Sequence, residues 1–196
     1  MKCLLCAKYS LNVICKECLN WLEITPQKRE IEGFSVYSFY DFDEVRECLH
    51  SKYFVIGSKI IHFLSRKMAQ FLRDERIFAR ELGIMGIALD DEPRGGYSHT
   101  AIIAKELKCA GIVPLFGALR SQNRVSYAGK DLEFRRKNPR AFRLFRNLQK
   151  GAQVVLIDDL ITTGITMLEA KRVLENSGAN VLFGICLSDA RGIIKE

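Results

Sequence analysis

Short apolar runs alternate along this chain with longer segments of helical periodicity. The runs are too short for helices and rich in β-branched or aromatic residues, which predicts buried strands. They lie at 34–40, 82–89, 112–118, 154–157 and 180–187. Helices are predicted between them, at 44–52, 56–72, about 99–108 and about 167–176. Strands that alternate with helices predict an α/β fold, with a mainly parallel sheet flanked by helices.

The chain has room for one full domain and a small module. Its 196 residues are 48% hydrophobic, which is enough to bury a core. Residues 25–32 hold one proline and mostly charged or polar side chains, which indicates a linker. We therefore expect a module at 1–22 and a main domain at 33–196.

Two Cys-x-x-Cys pairs lie close to the N-terminus, and their members are Cys3, Cys6, Cys15 and Cys18. Each pair has the spacing of a zinc knuckle, and the eight residues between the pairs can fold one knuckle onto the other. Four thiolates would surround Zn²⁺ and leave no open position, so the pattern predicts a structural zinc site. The alternative is four reduced thiols without metal. The apolar side chains expected to dock this module are Leu4, Leu5, Leu19 and Trp21.

Two acids and a threonine-rich turn follow the predicted strand at 154–157. The acids are Asp158 and Asp159, and the turn consists of Thr162, Thr163, Gly164, Ile165 and Thr166. The N–H groups and dipole of a helix N-terminus favour phosphate, and the glycine permits close approach. The carboxylates would repel phosphate and suit sugar hydroxyls or a cation, so we predict a ribose 5-phosphate site. The alternative is an ordinary helix cap beside a solvated acidic turn.

This motif resembles the phosphoribosyl pyrophosphate (PRPP) signature of type I phosphoribosyltransferases. The resemblance implies that Asp158 and Asp159 bind the 2- and 3-hydroxyls of the ribose, that 162–166 binds its 5-phosphate, and that Mg²⁺ accompanies PRPP. The GxxxxGK[ST] motif of nucleoside triphosphatases is absent from the sequence. Enzymes that salvage 6-oxopurines carry a catalytic Asp where this chain has Thr162, so purine salvage is disfavoured.

A second resemblance, to the ComF competence family, covers essentially the whole chain. It rests on the four-cysteine module, the turn before the helix at 99–108 and the PRPP signature. It implies a protein of natural transformation that handles incoming single-stranded DNA, with proteins of the DNA-uptake machinery as further partners. The family's Arg-Gly-Phe-Asn-Gln-like turn is changed here to Gly-Tyr-Ser-His at 96–99. Arg94 and the N–H groups of Gly95 and Gly96 are therefore the candidates for the pyrophosphate side of PRPP, and the alternative is a plain strand-to-helix turn.

The positive charge of the chain is concentrated in one segment. The formal net charge is +7, and residues 119–150 carry ten Lys or Arg against two acids, while the remainder is nearly neutral. The candidates for contact with nucleic acid are Arg120, Arg124, Phe134, Arg135, Arg136, Lys137 and Arg140. Cations interleaved with aromatic rings are typical of sequence-tolerant binding to single strands. The alternative is an amphipathic helix with core aromatics and solvated arginines. By resemblance, this basic segment occupies the place of the lid that covers PRPP.

The sequence shows no sign of membrane insertion or export. No run approaches the ~18 apolar residues of a membrane span, and the N-terminus lacks the apolar core of a signal peptide. We expect a cytoplasmic protein, associated with the inner membrane at most through partners. The other cysteines, Cys48, Cys109 and Cys186, are expected to be small buried residues.

The two functional hypotheses are a PRPP-binding competence protein that handles single-stranded DNA, and a phosphoribosyltransferase acting on an unidentified small-molecule acceptor.

Overall fold

The protein was analysed as a computed structural model that describes residues 1–54, 56–78, 83–89, 92–93, 96–123, 125, 127 and 132–191. The helices are α1 (Lys16–Trp21), α2 (Phe42–His50), α3 (Gly57–Asp74), α4 (His99–Glu106), α5 (Leu132–Lys137) and α6 (Ile165–Asn176), with 3₁₀ turns at Ser51–Tyr53 and Leu107–Ala110. The strands are β1 (Gln27–Ile31), β2 (Phe34–Tyr40), β3 (Met85–Ala88), β4 (Val113–Pro114), β5 (Leu119–Ser121), β6 (Phe142–Leu144), β7 (Gln153–Ile161) and β8 (Asn180–Asp189).

Six of these strands form one sheet in the order β1-β2-β8-β7-β3-β4. Four of its five strand pairs are parallel, and β1 pairs with β2 in antiparallel fashion. The predicted α/β architecture, a mainly parallel sheet flanked by helices, is therefore confirmed. A separate antiparallel pair, β5 with β6, lies within the basic segment.

Strand β7 lies in the middle of the sheet and is buried on both faces. Val155 and Ile157 belong to one hydrophobic cluster with residues of α2, α3 and α4, while Val154 and Leu156 belong to a second cluster with residues of α6. Successive side chains of a strand point to opposite faces, so an uninterrupted apolar run fits a strand covered by helices on both sides. This position places the end of β7, with Asp158 and Asp159, inside the domain.

Several predicted boundaries were wrong. Residues 25–32, predicted as a linker, contain β1, whose five residues pair with β2. The strand expected at 112–118 spans Val113–Pro114, and the strand expected at 154–157 continues to Ile161. Both β1 and the end of β7 contain charged residues, so neither shows the apolar pattern of a buried strand. They are strands all the same, because backbone pairing does not depend on apolar side chains.

The N-terminal module packs directly on the main domain. Cys3, Ile14, Cys18 and Leu22 are buried in the same cluster as residues of α3, and Leu5 and Leu19 pack against it. Lys67 of α3 donates hydrogen bonds to the carbonyl oxygens of Leu19 and Leu22, at the end of α1. Two of the predicted docking residues do not contribute: the exposed fraction is 42% for Leu4 and 77% for Trp21.

The three cysteines outside the module differ in burial. Cys48 and Cys186 are fully buried, as expected, whereas Cys109 is exposed. Cys109 lies in the 3₁₀ turn that follows α4, and this turn presents it to solvent. In the part of the chain that the structure describes, no helix combines the length and the apolarity needed to cross a membrane.

Candidate functional site

Asp158 and Asp159 lie next to each other near the end of β7, but their surroundings differ. Alternation along the strand turns Asp159 toward the face covered by α3 and α4, where it is 4% exposed, and leaves Asp158 half-buried. The backbone N–H of Asp159 donates to Asp158 Oδ1 at 2.8 Å. The pKa of Asp158 is raised by burial and by the adjacent Asp159 carboxylate. The two acids therefore differ in exposure to solvent and in their electrostatic surroundings.

Two basic side chains, Lys52 and His99, lie beside Asp159. Lys52 Nζ donates to Asp159 Oδ2 at 2.6 Å, and His99 Nε2 lies 3.7 Å from Asp159 Oδ1. Burial would raise the pKa of Asp159, but Lys52 and His99 outweigh burial and hold that pKa well below its usual range. Burial likewise opposes the charge of Lys52, and the Asp159 carboxylate overcomes it and raises the pKa of Lys52. Both groups of the ion pair are thus charged at neutral pH.

Sequence patterns alone give neither Lys52 nor His99 a role in this site. Lys52 lies in the 3₁₀ turn after α2, 107 residues before Asp159, and no motif marks it. The hydroxyl of Tyr97 donates to the carbonyl oxygen of Lys52 at 2.8 Å and so fixes this turn. Ser98 caps α4, accepting the N–H of Ala101 at 3.1 Å, and His99 is the first residue of that helix. The turn at 96–99 therefore positions the partners of Asp159.

The threonine-rich turn opens α6 with a left-handed residue. Gly164 has φ = +80°, and no side chain caps the helix at this N-cap position. The left-handed backbone favours glycine here, and a Cβ added to Gly164 would overlap Ile31 Cδ1 of β1, which would then have to shift. Thr162, Thr163 and Thr166 are partly exposed around the helix N-terminus. This arrangement has the N–H groups, dipole and hydroxyls that favour a phosphate group.

Two arginines converge on Thr162 from distant parts of the chain. Arg29 of β1 donates to the carbonyl oxygen of Thr162 at 2.6 Å and to Asp189 Oδ1 at 3.1 Å. Arg135 of α5 donates to the hydroxyl of Thr162 and, at 2.9 Å, to the carbonyl oxygen of Tyr127. Arg29 was missed because its segment was predicted to be a linker. These contacts hold the threonine-rich turn in place and add positive charge beside it.

The structure divides the candidate nucleic-acid residues into an internal set and an exposed set. Arg135 is 7% exposed, and Arg140 is half-buried with its guanidinium carbon 4.5 Å from the centre of the Tyr127 ring. Phe134 is half-buried. Packing thus leaves Arg135, one of the candidates for contact with nucleic acid, poorly accessible to a polyanion in this conformation.

The exposed set consists of Arg120, Arg136 and Lys137. Arg120 places its guanidinium carbon 5.4 Å from the centre of the Phe145 ring, which is itself 54% exposed. Lys137 pairs with Glu133 at 2.6 Å on the surface of α5. Arg124, together with Arg94 and Gly95 on the predicted pyrophosphate side, lies outside the described residues.

Glu169 of α6 anchors the basic segment to the helix that begins at the threonine-rich turn. Its carboxylate accepts the backbone N–H groups of Arg140 at 3.0 Å and Phe142 at 3.3 Å. With the contact between Arg135 and Thr162, this gives the basic segment two polar attachments next to the site.

The four N-terminal cysteines form a single cluster. Their sulfur atoms all lie within 4.8 Å of one another, and Cys6 Sγ is 3.8 Å from Cys15 Sγ. A tetrahedral ion with metal–sulfur bonds of about 2.3 Å requires sulfur atoms roughly 3.8 Å apart, so the donor set and its spacing fit a structural metal site. The backbone N–H of Cys15 also donates to Cys3 Sγ at 3.3 Å. Burial opposes ionisation of Cys3, but such hydrogen bonds outweigh it and lower the Cys3 pKa to about 6.

Comparisons with known proteins agree on the family. A family model described as "Phosphoribosyl transferase domain" matches residues 58–192. An orotate phosphoribosyltransferase of Bartonella henselae is 42% identical over 45 residues, which cover 23% of each chain. An adenine phosphoribosyltransferase of Acidovorax sp. is 32% identical over 101 residues, covering 48% of this chain and 50% of the relative. The chain thus spans about a quarter to a half of the length of these curated relatives.

Solved structures give a weaker likeness. The adenine phosphoribosyltransferase of Saccharomyces cerevisiae, solved with D-2,5-dideoxy-2,5-imino-altritol 1,6-bisphosphate and adenine, superposes with a TM-score of 0.44 at 18% identity, covering 88% of both chains. Likeness at this level adds no argument about activity. The match of the family model covers more than half of the chain and includes β7, the acid pair and the threonine-rich turn. The chain belongs to the phosphoribosyl transferase domain family.

Proposed function

We propose that this protein binds PRPP, with Mg²⁺, at the end of β7. The observation that carries the proposal is one continuous stretch in which an acid pair is followed by the uncapped N-terminus of α6. Asp158 and Asp159 would accept hydrogen bonds from the ribose 2- and 3-hydroxyls. The turn from Thr162 to Thr166 would bind the 5-phosphate through backbone N–H groups and hydroxyls. Membership in the phosphoribosyl transferase domain family supports the same ligand.

Magnesium fits the oxygen chemistry of this site. Mg²⁺ is usually bound by one or two carboxylates together with substrate phosphates, and Asp158 is a partly accessible carboxylate beside the proposed ribose. When bound, the ion would neutralise charge on the pyrophosphate group. Arg94 and Gly95 remain our candidates for further pyrophosphate contacts.

Calorimetric titration of PRPP in the presence of Mg²⁺ tests the proposal. We expect the wild-type protein to bind and Asp159→Asn to lose binding, because the amide removes a charged acceptor for the ribose. Asp74→Asn, an equivalent change at an exposed position of α3, is the control. Circular dichroism verifies that each variant is folded. Unaltered PRPP affinity in folded Asp159→Asn protein would exclude this binding mode.

For the cellular role we propose a competence protein of the ComF type, which handles single-stranded DNA in the cytoplasm. The supporting observation is the exposed cation–aromatic pair of Arg120 and Phe145 on a segment of net charge +8. Phosphates would contact the exposed cations, and bases would stack on the ring. Proteins of the DNA-uptake machinery would be further partners and could bring the protein to the inner membrane.

Fluorescence anisotropy of a labelled single-stranded oligonucleotide, at several salt concentrations, tests this role. We expect affinity to fall with salt, and Arg120→Gln to reduce the magnitude of the slope by about 0.7 if Arg120 neutralises one phosphate. Lys108→Gln, an equal change of charge at an exposed position outside the basic segment, serves as the control. A duplex of the same sequence measures the preference for single strands. A slope near zero in the wild type would rule out phosphate contacts.

The alternative is an active phosphoribosyltransferase with a small-molecule acceptor. Its support is the family itself, whose matched relatives include adenine and orotate phosphoribosyltransferases. Release of pyrophosphate from PRPP, measured with a panel of bases, distinguishes turnover from binding alone. Release that depends on one base and is lost in Asp159→Asn would favour the enzyme.

We also propose that the four-cysteine cluster binds one structural Zn²⁺ ion. Support comes from the four converging sulfur atoms and from the lack of an open coordination position once four thiolates bind. The metal would hold together a module of about 22 residues that is too small to fold on its own core.

A further inference from the structure

Lys52 is a second functional candidate beside the acid pair, outside both sequence motifs. It lies in the 3₁₀ turn before α3, and so before residues 58–192, the part that the family model matches. Its side chain is 19% exposed and its ammonium group is 2.6 Å from Asp159 Oδ2. An ammonium group has three N–H donors, and the bond to Asp159 uses one of them. Lys52 can therefore hold Asp159 and a ligand at the same time.

The direction of a bound ribose 5-phosphate group follows from its covalent structure. The 2- and 3-hydroxyls lie between C1 on one side and the carbon chain to the 5-phosphate on the other. With the hydroxyls at Asp158 and Asp159 and the phosphate at the N-terminus of α6, C1 points away from α6. Lys52 and His99 approach Asp159 from the face of β7 covered by α3 and α4, whereas α6 packs on the other face. The C1 substituent would thus lie on the side of Lys52.

The position of Lys52 is fixed by its surroundings. Tyr97 donates to its backbone carbonyl oxygen at 2.8 Å. Ser51, the residue before it, is buried and donates to the carbonyl oxygen of Cys48 at 2.5 Å. Gly57 lies so close to the 3₁₀ turn that an added Cβ would overlap Ser51 O and Tyr97 Oη. The packing fixes the backbone of Lys52 and the hydrogen bond to Asp159 fixes its ammonium group, so less entropy is lost on binding.

We propose that Lys52 binds the pyrophosphate group at C1 and makes the site select PRPP over ribose 5-phosphate. Two neighbouring carboxylates would repel a multiply charged pyrophosphate group, and a lysine in contact with one of them offsets that repulsion. Ribose 5-phosphate has a hydroxyl at C1 and gains little from this cation. The inference rests on the proposed function, since it assumes that PRPP occupies the site.

The test compares the dissociation constants of PRPP and ribose 5-phosphate, both with Mg²⁺, for wild type and Lys52→Gln. Glutamine keeps an N–H donor for Asp159 and removes the charge. We expect Lys52→Gln to weaken PRPP binding at least about tenfold, which corresponds to ~1.4 kcal/mol, and to change ribose 5-phosphate binding less than about threefold. Lys52→Arg, which keeps the charge, should retain most of the preference. Lys59→Gln, at an exposed position of α3, is the matched control.

The outcomes separate this inference from the proposed function. A wild type that binds neither ligand would refute the proposed function. A Lys52→Gln variant that loses affinity equally for both ligands would show that Lys52 only supports Asp159, and would overturn the inference alone. An unchanged ratio of dissociation constants with no loss of affinity would overturn it as well.

A second measurement needs no variant and applies even if Lys52→Gln fails to fold. Side-chain NMR of the wild type reports the surroundings of each lysine ammonium group. We expect PRPP to shift the Lys52 signal strongly and ribose 5-phosphate to shift it little, with the Lys59 signal unaffected by either. Equal shifts of the Lys52 signal with both ligands would contradict contact with the pyrophosphate group.

Discussion

At the scale of single residues, the ion pair of Lys52 and Asp159 links the stability of the fold to the proposed ligand site. Both side chains are largely removed from water, and they join the 3₁₀ turn before α3 to the central strand β7. A buried pair can cost as much in desolvation as it gains in attraction, but removal of one partner leaves an uncompensated charge. The pair therefore restricts which substitutions the site tolerates.

Asp159→Asn is expected to lower the free energy of unfolding at pH 7 by about 3 kcal/mol, because it leaves the Lys52 charge without its partner. The folded-state pKa of Asp159 lies below its unfolded value of about 3.9, so its stabilisation is complete above that value. As the pH falls below about 4, this stabilisation decreases. Urea unfolding of wild type and Asp159→Asn between pH 3 and 7 measures the difference between their free energies of unfolding. This difference should be largest near neutral pH and should decrease below about pH 4.

Asp74→Asn is the control for that series, since its carboxyl group is exposed. A difference in the free energy of unfolding between wild type and Asp159→Asn that is constant from pH 7 to pH 3 would contradict the assigned ion pair.

At the scale of residues, the sequence predicted the two acids and their proximity to the threonine-rich turn. It could not predict that Asp159 is buried and Asp158 half-buried, because that depends on which helices cover each face of β7.

At the scale of elements, β1 supports the threonine-rich turn at 162–166 from outside the motif. It supplies Ile31, which packs on Gly164, and Arg29, which binds the carbonyl oxygen of Thr162. The sequence of β1 is charged and lacks an apolar alternation, which is why we predicted a linker. Backbone hydrogen bonds to β2 make this segment a strand, although its side chains do not show the pattern of one.

Gly164→Ala and Gly33→Ala form a matched pair that measures this support. Both glycines are left-handed, with φ of +80° and +75°, so each substitution should cost about 1–2 kcal/mol in backbone strain. A Cβ at Gly33 meets no atom within 4 Å, whereas one at Gly164 overlaps Ile31. We expect Gly164→Ala to cost about 1–3 kcal/mol more in chemical denaturation, and to weaken PRPP binding.

Adding Ile31→Ala to Gly164→Ala should recover part of the extra loss, since the shorter side chain makes room for the Cβ. Equal destabilisation by the two glycine substitutions would contradict the packing of β1 on the turn. The double variant distinguishes this contact from backbone strain, which Ile31→Ala cannot relieve.

At the scale of the whole molecule, the N-terminal module and the main domain share one core. Cys3 and Cys18 are metal-ligand candidates and also members of the hydrophobic cluster that contains Leu64 and Met68 of α3. Loss of a metal at the four sulfur atoms would therefore disturb the packing of α3, whose buried side chains share that cluster. We expect metal binding and global stability to be coupled.

Zinc analysis of the purified protein should find one equivalent per chain, and Cys15→Ser should lose it. We expect the variant, or the wild type after strong chelation, to melt several degrees lower, because the module loses the metal–sulfur bonds that hold it together. Cys109→Ser, a change at an exposed cysteine outside the cluster, should retain both the metal and the melting temperature. A metal-free wild type with unchanged melting would contradict the proposed zinc site.

The sequence alone determined the α/β class, the order of most strands and helices, the cysteine cluster and the continuous acid and threonine motif. These features are local: periodicity, Cys-x-x-Cys spacing and a strand followed by a helix all act within about twenty residues. The tertiary structure decided the partners of the motif, namely Lys52 on Asp159, Arg29 on Thr162 and the buried Arg135. Lys52 and Arg29 lie 107 and 133 residues from their partners. Nothing within reach of local pattern analysis encodes such contacts, because they exist only once the sheet brings distant strands and turns together.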